Sequence, residues 1–374
     1  MKIPLSSPDI SQAERDAVAE VMLTSQLSLG PRLPEFERLL SEYVGVRYAV
    51  AVNSGTSALH LCIRAMGIGP GDEVITTSFS FIATANCILM EGARPVFVDI
   101  DPETWNIDPA KIEAAITPRA RAILPVHVFG LPPDMDAILA IARKHNLRVL
   151  EDSCEALGAT YKGRRAGSLC DAGVFGFYPN KQITTGEGGM IVTNDETIYR
   201  LATSMRNQGR GVNSGWLAHE RLGYNFRLSD INCALGIAQM KRIDEILAHR
   251  AQVAKWYHER LGDEKRISLQ RVPSDRTISH FVMVARLSDD YTREDRDCIM
   301  EGLRAKEIGT NNYFSPIHLQ PFYAEQGWKR GDLPVCEALS DRTIALPFHG
   351  LLTEQEVDTV CREFRALLSR PYRA

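Results

Sequence analysis

The sequence predicts an α/β fold, a mostly parallel sheet covered by helices, followed by a smaller α+β domain. Between about Glu14 and His249, short apolar runs alternate with stretches of helical spacing, the pattern of strands and covering helices. From Arg266 that alternation gives way to isolated strand and helix patterns with Pro-rich loops between them. The chain is 374 residues long and 44% hydrophobic, enough to bury a large core in two or three domains. The boundaries read as a large domain over 14–249 and a small one over 250–374, joined by the amino-terminal segment 1–13.

Strands are expected over 48–52, 73–76, 94–98, 122–128, 148–151, 173–177 and 189–193. Helices are expected between them, among others over 57–66, 110–115, 135–145 and 196–205. A long amphipathic helix over 229 to about 261 repeats Ile231, Leu235, Ile237, Met240, Ile243 and Ile246 near helical spacing and leads out of the large domain. The small domain reads as a strand over 279–287 and helices over 295–306 and 354–369. No internal repeat or low-complexity tract interrupts this order.

Charge and composition narrow the function. A formal charge of −4 and a pI near 6.2 argue against broad binding to nucleic acid or anionic membranes. The start, Met1-Lys2-Ile3-Pro4, lacks the apolar core of a signal peptide, and the uncharged run 74–90 is too short and polar for a membrane span. Eight cysteines lie scattered without CxxC pairs, as in a reduced, cytoplasmic protein. No metal-ligand cluster, GxSxG elbow, Walker loop or dinucleotide fingerprint appears, and Gly67-Ile68-Gly69-Pro70-Gly71 reads as a connecting turn.

The most informative residue is Lys181. It follows the apolar run 172–178 and precedes Thr184-Thr185-Gly186-Glu187-Gly188-Gly189. An amine fixed at a strand end, beside glycines that admit another molecule to the backbone, suits a lysine that forms a Schiff base. A single lysine is more often a solvated charge, so its neighbours decide. Asn53-Ser54-Gly55-Thr56-Ser57 lies between a strand and a helix, where free N–H groups, hydroxyls and the positive helix end suit a phosphate. An ordinary N-cap has the same composition. Asp152 ends a strand with a carboxylate, which in a pyridoxal enzyme keeps the ring nitrogen protonated; alone it would read as a cap or ion-pair partner. All three fall at carboxyl ends of strands, where open sheets collect ligands. His127 follows a strand and reads equally as a site residue or a satisfied buried histidine. Phe81, by itself, reads as a core aromatic.

Together these motifs resemble the sugar-nucleotide aminotransferases of the DegT-type family, pyridoxal 5′-phosphate (PLP) enzymes of fold type I. The resemblance runs nearly end to end, through Gly30-Pro31, Phe36-Glu37, Asn53 to Leu59, Gly71-Asp72-Glu73-Val74-Ile75, Pro125-Val126-His127, Glu151-Asp152, Lys181 and Gly223-Tyr224-Asn225-Phe226-Arg227. It implies that Lys181 is catalytic, carrying the cofactor and later a proton, and that Asp152 holds the pyridine nitrogen while Phe81 stacks on the ring. Gly55, Thr56 and Ser57 would bind the phosphate, with Asn225 reaching across from a second copy of a homodimer. Glu155 would lie near the cofactor's hydroxyl, where the family usually has Gln; a glutamate there resembles the perosamine-synthase branch. Sugar contacts would come from the loops 206–216 and 311–320, with Tyr313 and His318 as candidates. Gly176 departs from the family, which commonly has Ser five residues before the lysine.

The implied reaction moves an amino group from L-glutamate to the keto carbon of a nucleotide-linked keto-deoxysugar. Ile183-Thr184-Thr185-Gly186-Glu187-Gly188-Gly189 resembles the branch that aminates C4. A C3-specific sugar aminotransferase, an amino-cyclitol aminotransferase and a non-catalytic PLP-binding regulator are the alternatives. A related sugar dehydratase would carry His in place of Lys181.

Overall fold

Seven strands form the central sheet: β1 (Tyr48–Val52), β2 (Glu73–Thr77), β3 (Arg94–Val98), β4 (Ala120–Leu124), β5 (Arg148–Asp152), β6 (Ala172–Gly176) and β7 (Gly189–Thr193). The computed structural model describes residues 2–211 and 218–368. The spatial order is β1-β7-β6-β5-β4-β2-β3. Neighbours run parallel from β6 to β3, whereas β7 lies antiparallel to both β1 and β6. The reversal has a simple cause. The loop 177–188 turns back at the edge where β6 ends instead of crossing a face of the sheet. Every residue of β2 and β7 is buried, as helices on both faces require.

The covering helices start and stop on local signals. Ser54 caps Gly55–Ala65, Asp134 caps Met135–His145 and Asp195 caps Glu196–Arg206, each side chain accepting from a first-turn amide. Met135–His145 ends in Arg143, Lys144 and His145, which suit the negative end of the helix, and Asn146 closes it in the left-handed conformation.

Several elements depart from the sequence reading. The fourth strand stops at Leu124, because Pro125 leads the chain out and Val126 keeps a single bridge to Asp152. The helix expected over 110–115 is one α-turn, Pro109–Ile112, continued as the 3₁₀ turn Glu113–Ala115. The long helix over 229–261 is two, Asp230–Lys241 and Ile243–Leu261, broken at Arg242. The Arg242 guanidinium there binds Asp9, Glu14 and Glu245 at 3.0–3.1 Å, tying the joint to the amino-terminal segment.

The small unit has the antiparallel sheet β8 (Ile267–Leu269), β9 (Met283–Leu287) and β10 (Thr343–Leu346), with β9 in the middle. Its core joins Ile3 to Tyr257, Ile299, Phe348 and Phe364, and Ile3 also bridges Ile308. The strand expected from 279 begins only at Met283. Residues before it spend their backbone elsewhere: Ser279 N–H donates to Gly130, and the carbonyls of His280 and Phe281 accept from Arg250. The helix expected over 295–306 spans Arg293–Arg304, capped by Thr292. The last described helix is Glu354–Leu368; Ser369, where it was expected to end, lies outside the described residues. All eight cysteines are free thiols.

Glu14 shows how the amino-terminal segment is held. Buried in the first turn of the helix Gln12–Met22, it accepts from Ser11 N, Gln239 Nε2 and Arg242 Nη1 at 2.7–3.0 Å. Burial opposes its ionisation, but the Ser11 hydroxyl, the Gln239 amide and Arg242 outweigh it and hold the carboxyl down from 4.5 to about 2. A carboxyl depressed in the folded state stabilises above its unfolded pKa and loses that contribution as the pH falls through the folded value. Glu14→Gln is therefore expected to lower the thermal midpoint at neutral pH, and the gap from the parent should close as the pH falls from about 4.5 towards 2. Thermal scans of both proteins across that range check the sign.

Candidate active site

β1, β5 and β6 end at one edge of the sheet. Val52 pairs with Gly189, Gly189 with Gly176, and Asp152 with Val174 on the neighbouring strand. The turn after β1, the carboxylate of β5 and the loop after β6 thus converge.

In the turn, the Ser54 hydroxyl accepts from Ser57 N at 3.0 Å and donates to Ser57 Oγ at 2.9 Å. This leaves the amides of Gly55 and Thr56 without an intrahelical acceptor, at the positive end of an eleven-residue helix. The turn fits against the sheet because Gly189 has no side chain: a Cβ there would lie 2.4 Å from Ser54 O. Gly176 lacks the family's hydroxyl but not the room for it, since a Cβ would stand in ordinary contact, 3.5 Å from Cys154.

Asp152 is buried, and its oxygens are held. Oδ2 accepts from Thr84 Oγ1 at 2.7 Å, and Oδ1 from Cys154 N at 3.2 Å. Thr84 is fixed in turn by Ser80 Oγ at 2.8 Å. The Thr84 amide donates to the carbonyl of Phe81, a residue 61% exposed. A free aromatic face therefore stands one turn from the residue that orients the carboxylate. Phe81 does not fill the core, as it would read without the family resemblance.

Lys181 Nζ lies 3.5 Å from Glu155 Oε1 and 3.9 Å from the centre of the Phe281 ring. Glu155 is buried, and its second oxygen accepts from Phe129 N at 2.9 Å. Burial pushes its carboxyl above the ordinary range, and Lys181 and the Phe129 amide offset this only in part. Gln182, the next residue, donates to the carbonyls of Glu155 and Ser279, locking the lysine loop to the small unit.

Tyr313 is half-buried against Phe129, Phe281 and Phe314. Burial, then the Glu155 charge, raise its phenol, so the small unit sends an aromatic hydroxyl towards Glu155 and Asn180. His318 departs from the expected sugar-facing role. It is fully buried, with Nδ1 2.7 Å from Ser78 Oγ and Nε2 3.0 Å from Glu337 Oε1, which leaves neither nitrogen for a sugar hydroxyl. His127 is also fully buried, with Nε2 3.2 Å from Glu151 Oε2. Glu151 accepts from Gly167 N and Leu169 N, both at 2.7 Å, and acts as a strut beneath the site. Asn225 is exposed, on a strip whose next residue, Phe226, accepts from Asn53 N at 2.9 Å. Of the loop expected over 206–216, residues 212–216 lie outside the described residues.

Sequence reasoning missed Thr84 and Phe281. Thr84 left a weak trace, a hydroxyl one helical turn from Ser80. Phe281 left none, because a distant segment delivers it.

These residues fit PLP by the chemistry of their donors: two free amides and two small hydroxyls for a phosphate, an exposed aromatic for a ring, a fixed carboxylate for a pyridinium and an amine for a carbonyl carbon. Comparison with known proteins agrees. The family model of the DegT/DnrJ/EryC1/StrS aminotransferases matches residues 8–365. The chain is similar to a GDP-perosamine synthase of Caulobacter vibrioides, 43% identical over 96% of each chain. It is also similar to a GDP-perosamine synthase of Escherichia coli O157:H7, 37% identical over 98% of this chain and 99% of the other. The structure of a putative sugar aminotransferase from Streptococcus pneumoniae in its PMP-form superposes with a TM-score of 0.95 at 29% identity, covering 98% of both chains.

Thr84→Val keeps the bulk of the side chain and removes the hydrogen bond to Asp152. PLP affinity, measured by equilibrium dialysis, is expected to fall on the order of tenfold, the value of a hydrogen bond to a charged group. Thr84→Ser should restore it.

Proposed function

This chain belongs to the DegT/DnrJ/EryC1/StrS aminotransferase family, and from that premise we propose that it transfers an amino group from L-glutamate to C4 of a GDP-linked 4-keto-6-deoxyhexose. One observation supports this above the others: Lys181, Asp152 and the Gly55–Ser57 turn meet at one sheet edge beside the exposed Phe81. The guanosine nucleotide and the C4 position rest on the two relatives named GDP-perosamine synthase and on the 183–189 motif. When bound, PLP stores the amino group between two half-reactions and withdraws electrons from the carbon that loses its proton.

The protein's own residues do the rest. The Gly55 and Thr56 amides, with the Thr56 and Ser57 hydroxyls, anchor the phosphate. Asp152, held by Thr84, keeps a positive charge on the ring nitrogen, and Phe81 covers one ring face. Glu155 faces the ring hydroxyl. Lys181 carries the cofactor and moves a proton at the reacting carbon. Tyr313, reaching in from the small unit, faces the sugar.

Two further readings belong to this proposal. The large unit spans 14–249 and the small one 250–374 with the segment 1–13. The enzyme works as a homodimer in the cytoplasm, with Asn225 serving the phosphate of the partner site. Its exposed side chain supports this, as do the exposed apolar Leu23, Leu29 and Leu222.

Incubation with L-glutamate and a panel of nucleotide keto-sugars, read by mass, is expected to give a 4-amino product from the GDP-linked 4-keto sugar. Preference for a 3-keto sugar or a keto-inositol would overturn the assignment. Lys181→Ala should lower turnover by at least about 100-fold. Refolding equal amounts of Lys181→Ala and Asn225→Ala together should recover roughly a quarter of parental sites, because half the dimers are mixed and each mixed dimer keeps one whole site. Recovery no better than the average of the two separate mutants, with exchange verified by a tag, would place Asn225 in its own chain's site or outside it.

A further inference from the structure

We propose that Glu155 and Phe281 form a holding site for the Lys181 ammonium while the lysine is detached from the cofactor, and that Arg250 positions Phe281 for this task. The inference rests on the aminotransferase reading above, which requires Lys181 to be released in one half-reaction and re-engaged in the other. When the freed amine accepts the proton it moves, it becomes a cation, and a cation in a largely dry pocket is costly unless it is paired. Lys181 is only 15% exposed, so water does little to stabilise it.

The geometry supplies the partners. Nζ stands 3.5 Å from a carboxylate oxygen on one side and 3.9 Å from the centre of an aromatic ring on another. The first is an ion pair, the second the arrangement in which a ring face attracts a cation. Both partners are held. The Phe129 amide fixes the far oxygen of Glu155 at 2.9 Å, and Gln182 Nε2 grips the Glu155 carbonyl.

Phe281 is fixed from behind. Arg250 Nε donates to His280 O and Nη2 to Phe281 O, both at 2.9 Å. Arg250 is buried and, among the described residues, has no carboxylate within ion-pair reach; burial pushes its guanidinium down to about 10. A buried arginine spent on two adjacent carbonyls is an expensive way to hold a loop. The aromatic it holds is the one that covers the lysine.

The other titratable groups facing this pair leave Glu155 as the counter-charge. From the end of β5 come Asp152, whose carboxylate is bound by Thr84 and makes no ion pair with Lys181, and Cys154, whose thiol burial pushes well up and keeps neutral. From the small unit comes Tyr313, raised by burial and also neutral. Behind Phe281, burial holds His280 down at about 4, so it brings no positive charge at neutral pH.

The test uses enzyme stripped of cofactor, so that Lys181 is free. Its reactivity towards acetic anhydride, followed by mass spectrometry across a pH series against a free-amine standard, gives the midpoint at which the ammonium loses its proton. Glu155→Gln is expected to lower that midpoint by about 1 to 3 pH units, the effect of removing an opposite charge at this distance. Phe281→Leu should lower it by about 0.5 to 1 unit, while Phe281→Tyr, which keeps the ring face, should match the parent. If Glu155→Gln fails to fold, Glu155→Asp carries the same test with a smaller downward shift. Folded Glu155→Gln and Phe281→Leu proteins that titrate like the parent would overturn the proposal. A protein that never binds PLP would instead defeat the aminotransferase reading, and the midpoints would still be measurable.

Discussion

The close approach of two backbones at Gly189 is the constraint on which the rest of the site depends. β7 is wedged antiparallel between β1 and β6, and its first residue lies under the turn that follows β1. Any side chain at Gly189 would meet Ser54 O at 2.4 Å and lift the turn off the sheet. Because it is bare, the turn after β1 and the loop that carries Lys181 share one wall. Asp152 stands one strand further on, and its hydroxyl support arrives from the helix after β2. Fixed strand spacing therefore sets the distances between these groups.

Chemistry and architecture use the same residue types here, and burial separates them. Ser78, His318 and Glu337 form a linear trio with the spacing of a hydrolytic triad, 2.7 Å and 3.0 Å. Yet all three are buried, and Ser78 Oγ also accepts from His318 N, so the trio is closed to a substrate. The trio pins the loop that carries Tyr313 to the end of β2. Glu151 is similar: burial disfavours its charge, but His127 and the Gly167 and Leu169 amides outweigh that and hold the carboxyl below its ordinary range. Groups with spare valence behave differently. Phe81 keeps an exposed face, and Lys181 keeps an amine that is paired but not locked into a hydrogen-bonded network.

Much of this was legible in the sequence, and the failures share a cause. The strands, the Ser54 cap and the positions of Lys181 and Asp152 follow from local patterns, because period, capping chemistry and glycine placement act within a few residues. The break at Arg242 was not legible, because the helical period continues through it and the interruption comes from Asp9 and Glu14 on another segment. Residues 279–282 read as the start of the strand expected over 279–287, yet a guanidinium from the helix Ile243–Leu261 takes the carbonyls of His280 and Phe281. His318 is a sugar-contact candidate through the family resemblance, whereas its partners are Ser78, just after β2, and Glu337 on the helix Pro334–Ser340. In each case a tertiary partner overrode a local preference.

The seam between the large and small units has a mechanical consequence. Gly130 lies so close to Ser279 that an added Cβ would sit 1.8 Å from its carbonyl oxygen, and Gln182 bridges Glu155 to the same carbonyl. At Gly130 backbone meets backbone, next to the loop that carries Lys181. A clamshell motion about this line would have to tear the lysine loop from its own support. Close backbone packing of this kind resists hinge motion along the seam, whereas the side chains of Phe81 and Tyr178 stand exposed.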